Sequence, residues 1–378
     1  MNCCYCNTTK VYFTNSVITD INEFLSNTTY RKALLITGGN YTRNIANKIG
    51  SQLKIESLII SGVSTNPTSD IIHKIANQAK IFMPDLILTI GGGSVHDCGK
   101  AVAIMYYDEC NRIEDYTING KFSVSGIKTT IPVITISTIV GSGAEVSPAA
   151  LVRVGKEKRI VFSPLLHPLA TFVDIESIRK LPKEIAVRSI FDSFIQALEG
   201  YISSLANTIS DVFALQTLQL FNECYSNIKL WNSISEKEIE KLAIASIFSS
   251  YVCSTASVGA IHALSNPISG RYNIHHGTAL AMVACNVLEK NLTTVSMDKL
   301  QTIDNILSNI TIAYSDKYNA YSRILAKIRT IISDFNLLYD VPSIIVESQM
   351  IEECKNPDMA GNPYDLTDSD IESILRNI

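Results

Sequence analysis

The run DLILTI-GGGS-VHDCGK sets Gly91, Gly92 and Gly93 directly after an apolar, β-branched stretch, with Ser94 opening a helical pattern. Glycines at such a turn let backbone approach a ligand closely, and the unbonded N–H groups and dipole of a helix N-terminus favour an anion. A pyrophosphate suits this turn, whereas a plain strand-to-helix turn needs one glycine rather than three. On the same helix Asp97 and Lys100 are three residues apart and share a face. They read either as a surface ion pair or as an anchor for the cofactor and a neighbouring loop. A second run of small residues, ISTIVGSGAEVS from Ile136 to Ser147, also follows a strand pattern, so two loops are expected to line one crevice at the strand ends. The hydroxyls of Ser137, Thr138 and Ser142 and the N–H groups near Gly141 and Gly143 could hold a nucleotide, although a turn alone accounts for some of these residues.

Loops of this kind need a parallel sheet behind them. Short β-branched runs at Ala33–Thr37, Ser57–Ser61, Asp85–Ile90 and Ile131–Ile136 alternate with helical periodicity at Thr42–Ile49, Ser69–Phe82 and Ser94–Tyr106. Each of these helices opens near a Ser or Thr able to cap it. Further strands at Ala150–Val154, Arg159–Ser163 and Thr171–Asp174 are expected to complete this βαβ half before KLPKE, Lys180–Glu184, breaks the pattern. Beyond Pro182 the chain reads as helix, with apolar residues three and four apart in IFDSFIQALEGYI, DVFALQTLQLFNECY, EIEKLAIASIFSSYV and YSRILAKIRTIISDF. Thr367 and Asp370 form the start of a last short helix. The expected fold is an α/β dinucleotide-binding domain over residues 1–178 followed by an all-α domain over 179–378.

Of 378 residues, 46% are hydrophobic and 18% charged, and 32 Lys and Arg against 36 Asp and Glu leave a net charge of −4. That balance supplies no positive field for nucleic acid or anionic lipid. The most apolar stretches, Thr278–Leu288 and Thr129–Gly141, fall short of the roughly 20 residues a membrane span needs. MNCCYCNTTKVYF does not read as a secretory signal, so a cytoplasmic location is expected. The nine cysteines are odd in number and scattered, which reads as reduced thiols; the pair Cys3 and Cys6 lacks a companion pair at metal-binding spacing and is given no function. His73, His96 and His167 read as ordinary hydrogen-bonded core or surface residues.

Four motifs in order, GGGSVHDCGK, TISTIVGSGAEVS, FDSFIQALEGY and HALSNPISGRYNIHHG, resemble the iron-containing (group III) alcohol dehydrogenase family. The resemblance runs along nearly the whole chain and includes GNPYDLT, similar to a G-N-P-R-x-L-T segment with Tyr364 in place of Arg. It implies a dehydroquinate synthase-like architecture, a divalent metal in the helical domain, and NAD(P)-dependent interconversion of an alcohol with an aldehyde or ketone. The positions matching the family's metal ligands are Asp192, Gln196, His262 and His276, with Fe(II) or Zn(II) as the implied ion. Asp192 and Gln196 are four apart and so share a helix face. Gln196 stands where the family pattern has histidine, and a neutral amide is the poorer ligand. Affinity should fall by at least about 10- to 100-fold unless Gln196 coordinates through Oε1.

Asn266 stands where the alcohol dehydrogenases commonly carry a histidine thought to relay a proton. Asparagine cannot titrate, so the proton must come from water, a ribose hydroxyl or another side chain such as His275. HALSNP is close to the HALSYP of relatives resembling phosphonoacetaldehyde reductase. The segment LLITGGNYTR resembles the glycine-containing version in NADP-preferring members: Gly38 and Gly39 take the place of an acid that would repel a 2′-phosphate, and Arg43 could meet that phosphate. NADP(H) is therefore expected over NAD(H). A homodimer could form through an exposed apolar helix face, and Tyr251, Tyr272 and Leu165–His167 could line the substrate cleft. Two alternatives stay open, a nucleotide-binding relative whose metal site has decayed and a metal-independent reductase; a lyase like 3-dehydroquinate synthase would need basic residues not found in the helical half.

Overall fold

The computed structural model describes residues 6–108, 111–122, 126–309, 317–339 and 341–378; Cys3, with its C-x-x-C reading, lies outside them, as do Cys4 and Cys110. The remaining six cysteines are free thiols, as their scatter predicts. The chain divides into two compact units, Cys6–Lys180 and Leu181–Ile378.

In the first unit the elements run β1 (Lys10–Thr14), α1 (Val17–Ser26), β2 (Lys32–Thr37), α2 (Asn40–Gln52), β3 (Glu56–Ile60), α3 (Ser69–Phe82), β4 (Leu86–Gly91), α4 (Gly93–Met105), β5 (Val133–Ser137), β6 (Ala149–Val154), β7 (Glu157–Phe162), β8 (Ala170–Asp174) and α5 (Ile175–Arg179). Six strands form one parallel sheet in the order β1-β8-β5-β4-β2-β3. Both faces are covered, which is why its strands read as continuous apolar runs. Leu34, Ile36 and Ile87 belong to one core cluster, while Ala33, Leu35, Leu86 and Leu88 belong to the other. The sheet grows outward from β2 to β3 and returns to β4 on the far side of β2, so the loops after β2 and β4 emerge side by side, at a point where doubly wound folds bind ligands.

The strands foreseen at Ala150–Val154 and Arg159–Ser163 are present as β6 and β7, an antiparallel hairpin separate from the parallel sheet. The sheet instead gains β1, a half-exposed edge strand on β8 whose short KVYFT run gives little apolar signal. The expected Ser or Thr cap is present at α3 and absent at α2 and α4. Thr68, not Ser69, caps α3, while Gly39 and Gly92 precede α2 and α4 with no side-chain cap at all.

The pair on α4 is not at the surface. Asp97 is buried and Lys100 fully so, with Lys100 Nζ donating to the carbonyls of Ala144 at 2.6 Å and Ala149 at 2.9 Å. Lys100 therefore pins the second small-residue loop to α4. Gly99 lets the helix approach this closely, because a Cβ there would lie 2.1 Å from Thr89 Cγ2.

The second unit is built of α6 (Lys183–Ile202), α7 (Thr208–Lys229), α8 (Glu236–Ala256), α9 (Ala260–Tyr272), α10 (His276–Thr294), α11 (Met297–Ser308), α12 (Lys317–Asp334), α13 (Ser348–Cys354) and α14 (Asp368–Arg376). Thr367 and Asp370 close the foreseen capping box on α14. Trp231 is buried and donates its indole N–H to Leu181 O at 2.8 Å. Pro267 inside α9 has no N–H for the carbonyl of Ala263, and Asn356 Nδ2 fills the gap at 2.9 Å. Among the described residues no single helix is long and apolar enough to cross a membrane.

Burial pushes the Asp97 carboxyl up to about 6 despite Lys100, and pushes Lys100 down to about 8 despite Asp97 and Glu145. Lys100→Met should destabilise the chain by about 2–4 kcal/mol in urea unfolding, because it leaves the Ala144 and Ala149 carbonyls without their donor. The raised carboxyl of Asp97 contributes stability that is full below its unfolded value of 3.8 and is lost as pH rises through about 6; Asp97→Asn should remove that slope from the pH–stability profile.

Candidate active site

The glycines after β4 are there for packing as well as for access. A Cβ on Gly92 would sit 2.5 Å from Ile139 Cγ2, and one on Gly93 would sit 2.8 Å from Ser142 Oγ. The two loops thus interlock, and Thr138 N donates to Gly91 O at 3.0 Å between them. Val95 N and His96 N return to Gly92 O. The N–H groups of Gly93 and Ser94 precede those first helical bonds and carry no side-chain cap, which is the arrangement an anion needs.

Each residue foreseen for the nucleotide can now be located. Gly91, Gly92, Gly93 and Ser94 form the end of β4 and the first turn of α4, and Ser94 Oγ accepts from Asn66 N at 3.3 Å. Gly38 and Gly39 lead into α2, where Arg43 is exposed on the first turn. These two turns are neighbours, since Thr37 pairs with Ile90 in register. Ser137 and Thr138 are buried, and the Ser137 hydroxyl donates to Ile139 O at 2.8 Å, so its hydroxyl shapes the loop. Ser142 is half-buried against Gly93. Asp97 and Lys100 stand behind both loops.

In the helical unit Asp192, Gln196 and Glu199 follow one face of α6 at i, i+4 and i+7. His262 lies in the first turn of α9, and His276 is the first residue of α10. A Cβ on the next residue, Gly277, would come within 2.0 Å of Arg188 O, so only glycine lets α10 start this close to α6. One ligand atom each from Asp192, His262 and His276 lie within 4.8 Å of one another. The rings of His262 and His276 are 5.4 Å apart, centroid to centroid.

Glu199, which the sequence reading missed, organises this cluster. Its Oε2 lies 2.5 Å from His262 Nδ1 and its Oε1 accepts from Ile261 N at 2.7 Å, so Nε2 of the same imidazole is turned to Asp192 Oδ1 at 3.2 Å. The signal was present: an acid one turn beyond Gln196 on the same helix face, in an otherwise apolar FDSFIQALEGY. Burial alone would lower the His262 pKa, but hydrogen bonds to Asp192 and Glu199 reverse this and bring it up to about 10. Burial would raise Asp192; the bond from His262 and the charge of His276 outweigh it and hold the carboxyl below its ordinary range. A pocket that favours positive charge, lined by two imidazoles and a carboxylate, fits Fe(II) or Zn(II).

The other foreseen residues have local partners. Gln196 Nε2 donates to Asp192 Oδ1 at 3.2 Å, and its Oε1 accepts from Ser249 Oγ at 2.9 Å. Asn266 Nδ2 donates to Asp358 Oδ2 at 2.7 Å. His275 caps α10, its Nδ1 accepting from Gly277 N at 3.2 Å. Tyr251 packs with Phe213 and Phe248, and the Tyr272 hydroxyl accepts from Ile345 N at 2.7 Å. Glu199→Gln should weaken Zn(II) binding by about 10- to 100-fold in a chelator competition, since it removes the carboxylate that orients His262.

The family model described as iron-containing alcohol dehydrogenase matches residues 8–175, and that of the family's C-terminal region matches 186–378. The bifunctional aldehyde-alcohol dehydrogenase of Escherichia coli is 29% identical over 276 residues, 69% of this chain and 31% of that protein, so the chain spans under a third of this relative. The NADPH-dependent butanol dehydrogenase of Clostridium saccharobutylicum is 25% identical, covering 88% of this chain and 84% of its own. In fold, the chain is similar to an alcohol dehydrogenase from Oenococcus oeni, with a TM-score of 0.88 at 22% identity over 98% of each chain. With both halves matched in order and the Asp192, His262 and His276 cluster assembled, the chain belongs to the iron-containing alcohol dehydrogenase family.

Proposed function

We propose that the protein interconverts a small alcohol and the corresponding aldehyde or ketone with a nicotinamide dinucleotide, NADP(H) in preference to NAD(H). The observation that carries this reading is the cluster of Asp192, His262 and His276 backed by Glu199, in a chain of this family. A divalent metal held there would act as a Lewis acid on the carbonyl or alkoxide oxygen, worth several kcal/mol to hydride transfer.

The chain's own residues supply positioning. Glu199 holds His262 Nδ1 so that Nε2 faces Asp192, and Gly277 admits His276 beside them. In the other unit the uncapped start of α4 receives the pyrophosphate, while Lys100 holds the loop that packs on it. Coenzyme preference follows from the turn after β2: no acid stands there to repel a 2′-phosphate, and the exposed Arg43 offers it a charge. Asn266, tied to Asp358 and without a titratable proton, is given no part in proton transfer.

His262→Ala should abolish turnover in an aldehyde screen with NADPH while leaving fluorescence titration of NADPH nearly unchanged. Equal loss of nucleotide binding would sink this division of roles. Space is open around Gly39, with nothing within 4 Å of a Cβ there. Gly39→Asp should therefore fold normally and raise KM for NADPH about tenfold or more relative to NADH, the size of a lost charge-assisted contact plus a new repulsion.

A further inference from the structure

We infer that Gln196 is not a metal ligand in this chain but the partner that holds Asp192, leaving a centre carried by three protein groups. The inference rests on the metal-assisted reading above and concerns how that site is built. Gln196 is buried, and both ends of its amide are engaged. An ionised carboxylate can only accept, so Asp192 dictates that Nε2 faces it, and Oε1 is thereby directed to Ser249 on α8. Ser249 is itself fully buried, and its hydroxyl also lies 2.8 Å from Ser246 O. Turning the amide over to offer Oε1 to the cluster would set oxygen against oxygen at Asp192 and withdraw the acceptor from Ser249.

Gln196 Nε2 and His262 Nε2 both face Oδ1 of Asp192; ligation takes the His262 nitrogen for the ion, and the bond from Gln196 is the one that stays on Oδ1. Among the described residues Oδ2 receives none, and it is the oxygen left for a cation. Two imidazoles and one carboxylate with open positions is the donor set of non-haem Fe(II) sites and of catalytic zinc. In this arrangement Gln196 sets the direction of the carboxylate, as outer-shell partners of metal-binding carboxylates do.

Full-length protein, stripped of metal and titrated with Co(II) and then Zn(II), separates the two roles. Gln196→Leu should keep the wild-type Co(II) d–d band positions and intensity and lose only about tenfold in affinity, the low end for an outer partner, whereas His276→Ala should lose more than about 100-fold. Gln196→His, which adds an imidazole, should change the spectrum and tighten binding. A Gln196→Leu spectrum of altered coordination, or a loss as large as that of His276→Ala, would overturn the inference. Gln196→Met, closer in shape, repeats the comparison if the leucine variant fails to fold. Wild-type protein that binds neither ion while still binding NADPH would overturn both this inference and the metal-assisted reading, a result distinct from failure of the Gln196 variants alone.

Discussion

A buried imidazole held between two buried carboxylates is the constraint on which the helical unit depends. His262, Asp192 and Glu199 are each almost wholly shielded from water, and charges so placed persist only when paired and hydrogen-bonded. Pairing them forces α6 and α9 together, and several residues serve that approach. Gly259 precedes α9 because a Cβ there would lie 2.9 Å from both Glu199 Oε1 and Asn362 Oδ1. Asn362 accepts from Ala260 N at 3.0 Å, so the GNP segment near the C-terminus completes the helix start that carries His262. Gly361 allows this close approach, since its Cβ would meet Val258 O at 2.3 Å.

The same segment explains a proline that looks misplaced. Pro267 removes one helical hydrogen bond from α9, and Asn356 and Asp358 bind the residues on either side of the gap, at Ala263 and Asn266. The helix carrying His262 is therefore bolted by the 356–362 segment, at Ala260, Ala263 and Asn266.

In the α/β unit the governing feature is a helix start that no side chain caps. The first turn of α4 has no side-chain cap, and the three glycines that make it accessible also let the 137–145 loop interlock with it. Lys100 then fastens the loop from beneath, a buried cation balanced by Asp97 and Glu145. Rigidity comes from behind the turn, so its front face stays clear for an anion.

Much of this was legible in one dimension. Short β-branched runs marked the α/β half, period-3.6 patterning the helical half and the T-x-x-D spacing the Thr367 cap, and ordered motifs pointed to Gly91–Ser94, Asp192, His262 and His276. What sequence could not settle was which partner each polar side chain would meet, because that depends on elements far apart in the chain. Asp97 and Lys100 read equally as a surface ion pair or as an anchor for the cofactor and a neighbouring loop until α4 was packed on the 144–149 backbone. The β6 and β7 runs look like any other short strands and the β1 run gives little apolar signal, since a strand's neighbour is chosen by tertiary packing and not by its own residues. Glu199 stood on the same helix face as Asp192 and Gln196, but its role and the orientation of the Gln196 amide were not fixed by that spacing: what a carboxylate orients is decided by the imidazole 63 residues away that it binds. Residue type and local period are properties of the chain itself, whereas burial and hydrogen-bond partners exist only once distant segments share a core.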